Sequence, residues 1–152
     1  MATELTAMTD AVPEHNRVLL AVPESDCHVV ACKLLQLYLE HLGYQVHNLG
    51  VTTANAEIAA AAESYRPLAI FLSSQNGHAL TDLQTLRGEL GARGVRVPVY
   101  LGGNLAVGCQ EPPETVWRKY EEIGIEVLAS FREAELKLAV LLAEGVRREI
   151  AD

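Results

Sequence analysis

The chain has 152 residues, 49% hydrophobic and 21% charged, with a formal net charge of −8 and an isoelectric point near 5.1. This is the balance of a globular domain that buries about 70% of its unfolded surface, and its acidity argues against nucleic acid or an anionic membrane as partner. No apolar run reaches the roughly 20 residues of a membrane span, and the polar N-terminus does not read as a signal peptide.

Residues 1–16 are polar and aperiodic, and are expected to form a flexible tail ahead of one domain over 17–152. Val18 to Val22 reads as a buried strand that breaks at Pro23. A polar turn follows, Glu24-Ser25-Asp26-Cys27-His28, and then a helix with apolar residues at Val30, Leu34, Leu35, Tyr38 and Leu42, stopped by Gly43. Tyr44 to Leu49 alternates as a second strand. The alanine-rich ANAEIAAAAESY (residues 54–65) is a helix with Asn55 or Thr53 as candidate cap.

Pro67 opens a third strand, Leu68 to Leu72, apolar throughout as expected of a strand covered on both faces. Its polar continuation is Ser73-Ser74-Gln75-Asn76-Gly77. Leu80 to Ala92 reads as one helix, with Thr81 or Asp82 near its start, and Val97 to Leu101 as a fourth strand running into Gly102-Gly103-Asn104. A short helix around Thr115 to Ile123, a fifth strand at Ile125 to Leu128 and a long helix from Arg132 to Glu149, its leucine stripe facing the core, complete the chain. Strands and helices alternate five times, which predicts an α/β, flavodoxin-like (Rossmann-like) doubly wound parallel sheet of order 2-1-3-4-5.

In that topology ligands bind at the carboxyl edge, where three polar loops converge. Their content eliminates several ligands. Glu24 and Asp26 in the first loop would repel a flavin phosphate, and that loop lacks the glycines of a dinucleotide fingerprint. Ser73 and Ala129-Ser130 stand where a phospho-acceptor domain needs aspartate and lysine. What remains is one imidazole, His28, with a carboxylate two residues before it. A metal-ligating histidine commonly donates its second ring N–H to a carboxylate, which fixes the tautomer and raises the basicity of the ligating nitrogen. Gly102-Gly103 suits backbone that must pass close to a bulky ligand. His41 and His47 read as surface or packing residues, His78 as a solvated histidine near the ligand edge with contact to a cofactor or partner as the alternative, and Cys27, Cys32 and Cys109 as free thiols in a reducing cytoplasm rather than zinc ligands.

Ser25-Asp26-Cys27-His28, Asn48-Leu49-Gly50, Leu72-Ser73-Ser74 and Tyr100-Leu101-Gly102-Gly103-Asn104, followed by Val107-Gly108, together resemble the cobalamin-binding domain family. The similarity runs from Arg17 to about Ala139 and is strongest to the small (sigma) subunit of glutamate mutase, also called methylaspartate mutase. The resemblance implies that His28 is the axial cobalt ligand, displacing the dimethylbenzimidazole base, with Asp26 bonded to the other side of its ring. It places Ser25, Cys27 and Val29 in the same turn. It puts Ser73, with Ser74 and Gln75, against the displaced nucleotide tail, Gly102 and Gly103 along the tail channel, and Asn104, Leu105 and Ala106 beside it. Two positions depart from the family pattern. Ala31 replaces a glycine, an added methyl of a kind that costs about 1–3 kcal/mol in a packed site. Gln75 replaces an apolar residue, so its amide needs a hydrogen-bond partner.

The implied cofactor is adenosylcobalamin, whose cobalt–carbon bond breaks homolytically to begin a carbon-skeleton rearrangement, the interconversion of L-glutamate and L-threo-3-methylaspartate. This chain would hold the cofactor and no other catalytic residue. A larger TIM-barrel subunit would carry the amino-acid substrate. The alternatives are a non-catalytic cobalamin carrier module and the corrinoid protein of a methyltransferase system.

Overall fold

The computed structural model describes residues 16–151. Most of the expected tail therefore lies outside the described residues, but Asn16 is tied down, its Nδ2 donating to the Gly43 carbonyl at 3.1 Å.

Five parallel strands form one sheet: β1 (Arg17–Ala21), β2 (Gln45–Asn48), β3 (Ala69–Ser74), β4 (Val99–Gly103) and β5 (Glu126–Val127), in the order β2-β1-β3-β4-β5. The period of two along β1 separates two cores. Val18, Leu20 and Val22 face α1 (Val30–His41) and α6 (Phe131–Ala151), joining Leu35, Leu39, Phe71, Tyr100 and Leu138. Leu19 and Ala21 face the opposite side. There they meet α2 (Asn55–Tyr65), the short α3 (Ala79–Asp82), α4 (Leu86–Ala92) and α5 (Pro113–Glu122) through Ile58, Leu83, Leu86, Leu90 and Tyr120. All five core residues from Val18 to Val22 are fully buried, as expected of a central strand covered on both faces.

Several expectations are corrected. The expected helix over residues 80–92 is two pieces. The Asp82 carbonyl, which a continuous helix would give to Leu86 N–H, instead accepts from Asn55 Nδ2 at 2.7 Å, and Leu86 N–H turns to Leu83. That same bond removes Asn55 as a cap of α2. Thr53 does not cap it either, since its hydroxyl donates to the Gly50 carbonyl at 3.1 Å. β4 starts two residues late, because Pro98 has no N–H to donate and the Val97 carbonyl is taken by Arg87 Nη1 at 2.9 Å. The leucine stripe of α6 is only partly core: Leu138 is fully buried, whereas Leu136 and Val140 are exposed.

The correction that matters most for the site is at the strand ends. β3 and β4 continue in register through Ser73↔Gly102 and Ser74↔Gly103. These four residues, expected in or beside loops, are the last rungs of the central ladder.

Candidate functional site

The β1–α1 turn, the end of β3 and the end of β4 meet at the carboxyl edge, and Asp26 is the knot. Its side chain is fully buried and both oxygens are saturated. Oδ1 accepts from the His28 backbone N–H at 2.9 Å and lies 2.6 Å from His28 Nδ1. Oδ2 accepts from the Ser74 hydroxyl at 3.0 Å and from the backbone N–H groups of Gln75 and Asn76 at 2.7 and 3.1 Å. Burial alone would push this carboxyl up. The backbone N–H groups of Gln75 and His28, the His28 ring and the Ser74 hydroxyl outweigh it and hold the group well below the usual carboxylate range.

An ionised carboxylate only accepts, so the hydrogen on the His28 ring sits on Nδ1. Nε2 of the neutral ring then keeps its lone pair. The His28 side chain is 56% exposed, so that lone pair is held at the surface by an anchor that is itself out of water. This is the arrangement of a metal-ligating imidazole.

A second layer fixes the turn. Asn76 Nδ2 donates to the Ser25 carbonyl at 3.0 Å, and the Ser25 hydroxyl donates to Asp82 Oδ2 at 2.6 Å. The Asp26 carbonyl accepts from Thr52 N–H at 3.0 Å, with Thr52 held at φ +51°. A β-branched residue in the left-handed region is strained, and such strain concentrates where surroundings over-determine a functional loop. Sequence reasoning missed Asn76, Asp82 and Thr52 as supports. Asp82 lies 57 residues from Ser25, and only the packing of α3 beside the turn connects them.

Beside this knot lies a cavity of about 210 Å³ between α1, α6 and the sheet edge. Ala31, Leu35, Phe71, Tyr100, Phe131 and Ala134 form its apolar walls, and Ser73, Gln75, Gly102 and Gly103 complete the lining. The Phe71 and Tyr100 rings stack at 5.0 Å. Apolar walls with a few placed polar groups suit a flat aromatic ligand.

The two glycines have different reasons. A Cβ on Gly103, at φ +119°, would stand 1.9 Å from the Ser74 carbonyl oxygen, so the ladder itself demands glycine there. A Cβ on Gly102 would meet only the Leu128 carbonyl oxygen at 3.5 Å, an ordinary contact. The fold therefore tolerates a side chain at Gly102.

Of the residues expected at the site, Asp26, His28, Ser74 and Gln75 are joined through the knot, and Ala31, Ser73, Gln75, Gly102 and Gly103 line the cavity. Gln75 has the partner its amide needs, since Oε1 accepts from Asn104 N–H at 3.3 Å. Ser25 spends its hydroxyl on Asp82. Cys27 and Val29 are exposed on the outer turn, and Asn104 and Ala106 lie outside the cavity lining. The Leu105 side chain is drawn into the core on the opposite face of the sheet, where its apolar surface leaves water. The walls from α6 and Tyr100 were not foreseen as site residues. Among the described residues no cluster of histidine, cysteine or acidic side chains would hold a metal ion by itself, and no helix is long and apolar enough to cross a membrane.

Comparison with known proteins agrees with this geometry. The family model described as the B12 binding domain matches residues 16–117. The glutamate mutase sigma subunit of Halobacterium salinarum is 43% identical over 109 residues, covering 72% of each chain. That of Clostridium cochlearium is 32% identical over 114 residues, or 74% of this chain and 82% of that one. Among solved structures, the methanol:cobalamin methyltransferase complex MtaBC of Methanosarcina barkeri superposes with a TM-score of 0.72 at 18% identity. It matches 91% of this chain, which spans about half (51%) of the longer one, so that likeness bears on fold alone. The chain belongs to the B12-binding domain family, within the glutamate mutase sigma subunits.

Proposed function

We propose that this chain is the cobalamin-binding subunit of an adenosylcobalamin-dependent mutase that interconverts L-glutamate and L-threo-3-methylaspartate. The observation that carries it is the Asp26–His28 pair, with a buried, saturated carboxylate on Nδ1 and an exposed Nε2. The residues fit the cofactor. The donor set is a neutral imidazole of fixed tautomer, and the adjoining cavity has the apolar lining that a displaced aromatic base requires.

In this reading His28 Nε2 holds the cobalt, and Asp26, braced by Ser74, Gln75 and Asn76, keeps the ring in place. Ser73, Gln75, Ala31, Gly102 and Gly103 receive the nucleotide tail. The cofactor supplies a weak cobalt–carbon bond as a source of radicals, while the chain supplies orientation. Residues 17–152 act as one cobalamin-binding domain in the cytoplasm. The amino-acid substrate is enclosed by a larger TIM-barrel subunit placed over the exposed face of the cofactor, since the sheet edge of this chain is spent on holding it.

The test is EPR of the cob(II)alamin complex with nitrogen-14 and nitrogen-15 protein. Superhyperfine splitting from one axial nitrogen should change from three lines to two on labelling of the wild type and should no longer respond to the label in His28→Gly. Splitting that ignores the label would refute ligation by His28.

A further inference from the structure

The turn that carries His28 is gripped from two directions, and both grips start at the N-terminus of α2. On one side, Thr53 N–H donates to the Val22 carbonyl and Thr52 N–H to the Asp26 carbonyl, each at 3.0 Å. On the other, Asn55 Nδ2 donates to the Asp82 carbonyl at 2.7 Å and to Thr85 Oγ1 at 2.9 Å. The Asp82 carboxylate in turn accepts from the backbone N–H and the hydroxyl of Ser25, at 3.3 and 2.6 Å. Asn76 completes the circuit: its Nδ2 donates to the Ser25 carbonyl at 3.0 Å and its N–H to Asp26 Oδ2 at 3.1 Å. The start of α2, the end of α3 and the end of β3 are thus joined in one ring of hydrogen bonds around the carboxylate that orients the imidazole.

The Asn55 bond decides where Asp82 stands. A helix running unbroken through residues 79–92 would give the Asp82 carbonyl to Leu86 N–H. With that carbonyl engaged by Asn55, Leu86 N–H turns to Leu83 and α4 starts afresh. Leu86 and Leu90 are fully buried in the same core as Ile58 of α2, so α4 is the fixed body and α3 is the piece whose direction the break sets. Closing the break would swing α3 about α4 and withdraw the carboxylate of Asp82 from Ser25. Resting on the reading of the chain as a cobalamin-binding subunit, we infer that Asn55 is a positioning residue for cobalt ligation, holding the α3–α4 break open so that Asp82 fastens the Ser25 end of the His28 turn. Asn55 lies outside the cavity lining and acts through Asp82.

The experiment titrates the full chain with methylcobalamin, following the visible spectrum, and records amide spectra and urea unfolding of the corrinoid-free protein. The variants are Asn55→Ala, Asp82→Ala, the double variant, and Ile58→Val, which weakens α2 from its buried side without touching Asp82. Asn55→Ala and Asp82→Ala should each lower affinity about tenfold, the low end of what outer partners of a ligating histidine contribute. The double variant should bind no worse than Asp82→Ala alone, although its unfolding midpoint should fall further, because Asn55 bonds the backbone of residue 82 and not its side chain. Ser25 and Asp26 amide signals should shift in Asn55→Ala and stay in place in Ile58→Val. Affinity losses that add in the double variant, or an equal loss in Ile58→Val, would overturn the inference by reducing Asn55 to a general support of the fold. The corrinoid-free spectra keep two failures apart: a wild type that binds no corrinoid ends the cobalamin reading, whereas an unmoved Ser25–Asp26 turn in Asn55→Ala ends this inference.

Discussion

Replacing Asp26 by asparagine changes one atom, and the structure dictates where that atom goes. With the new NH₂ at the Oδ2 position, it would confront the backbone N–H groups of both Gln75 and Asn76. At the Oδ1 position it confronts one backbone N–H, that of His28, and the His28 ring. The ring can adapt by becoming the acceptor at Nδ1, so the second placement wins. The part-buried His28 N–H then loses its acceptor and the remaining bonds lose their charge assistance, a destabilisation of about 2–4 kcal/mol. The functional consequence is sharper. With Nδ1 accepting, the ring hydrogen moves to Nε2 and occupies the lone pair that faces outward. Corrinoid affinity should fall by about 10–100-fold, as for other outer partners of metal-binding histidines. Long-range proton–nitrogen correlation spectra of the corrinoid-free protein report the tautomer directly, and urea unfolding reports the stability. If Asp26→Asn leaves both the tautomer and the unfolding midpoint at their wild-type values, this account is refuted.

The adjacent glycines should separate under substitution. Gly103→Ala drives a methyl into the Ser74 carbonyl at positive φ and should cost roughly 3 kcal/mol or more in urea unfolding. Gly102→Ala should stay within about 1 kcal/mol of the wild type yet weaken corrinoid binding; equal destabilisation by both would mean the cavity wall is misread. Stability should also fall in acid. Below the ordinary aspartate value of about 3.9 the unfolded chain takes up a proton at Asp26 that the native chain, with its depressed value, refuses. The stability contributed by this group is therefore complete above that value and drains away as the pH drops toward the native one. Asp26→Asn should have a flatter stability profile below pH ~4, and identical slopes would contradict the linkage.

Local chemistry is legible in one dimension, and much of this protein is local. The unbroken apolar run Val18–Val22 announced a buried strand, and five strand–helix alternations left one natural sheet order, which the structure has. The pairing of Asp26 with His28 needed only a separation of two residues, so the turn carried it in the sequence. What the sequence left undecided concerns groups brought together from far apart. Whether Asp26 is solvated or buried depends on Ser74, Gln75 and Asn76, about 50 residues away. The break between α3 and α4 depends on a bond from Asn55, 27 residues upstream. Gly103, expected to leave room for a ligand, must also leave room for the neighbouring strand, a second requirement that only the β3–β4 register reveals. Composition and periodicity select elements because they act within a few residues, whereas the saturation of a buried carboxylate and the walls of a cavity exist only once β1, β3, α1 and α6 have packed.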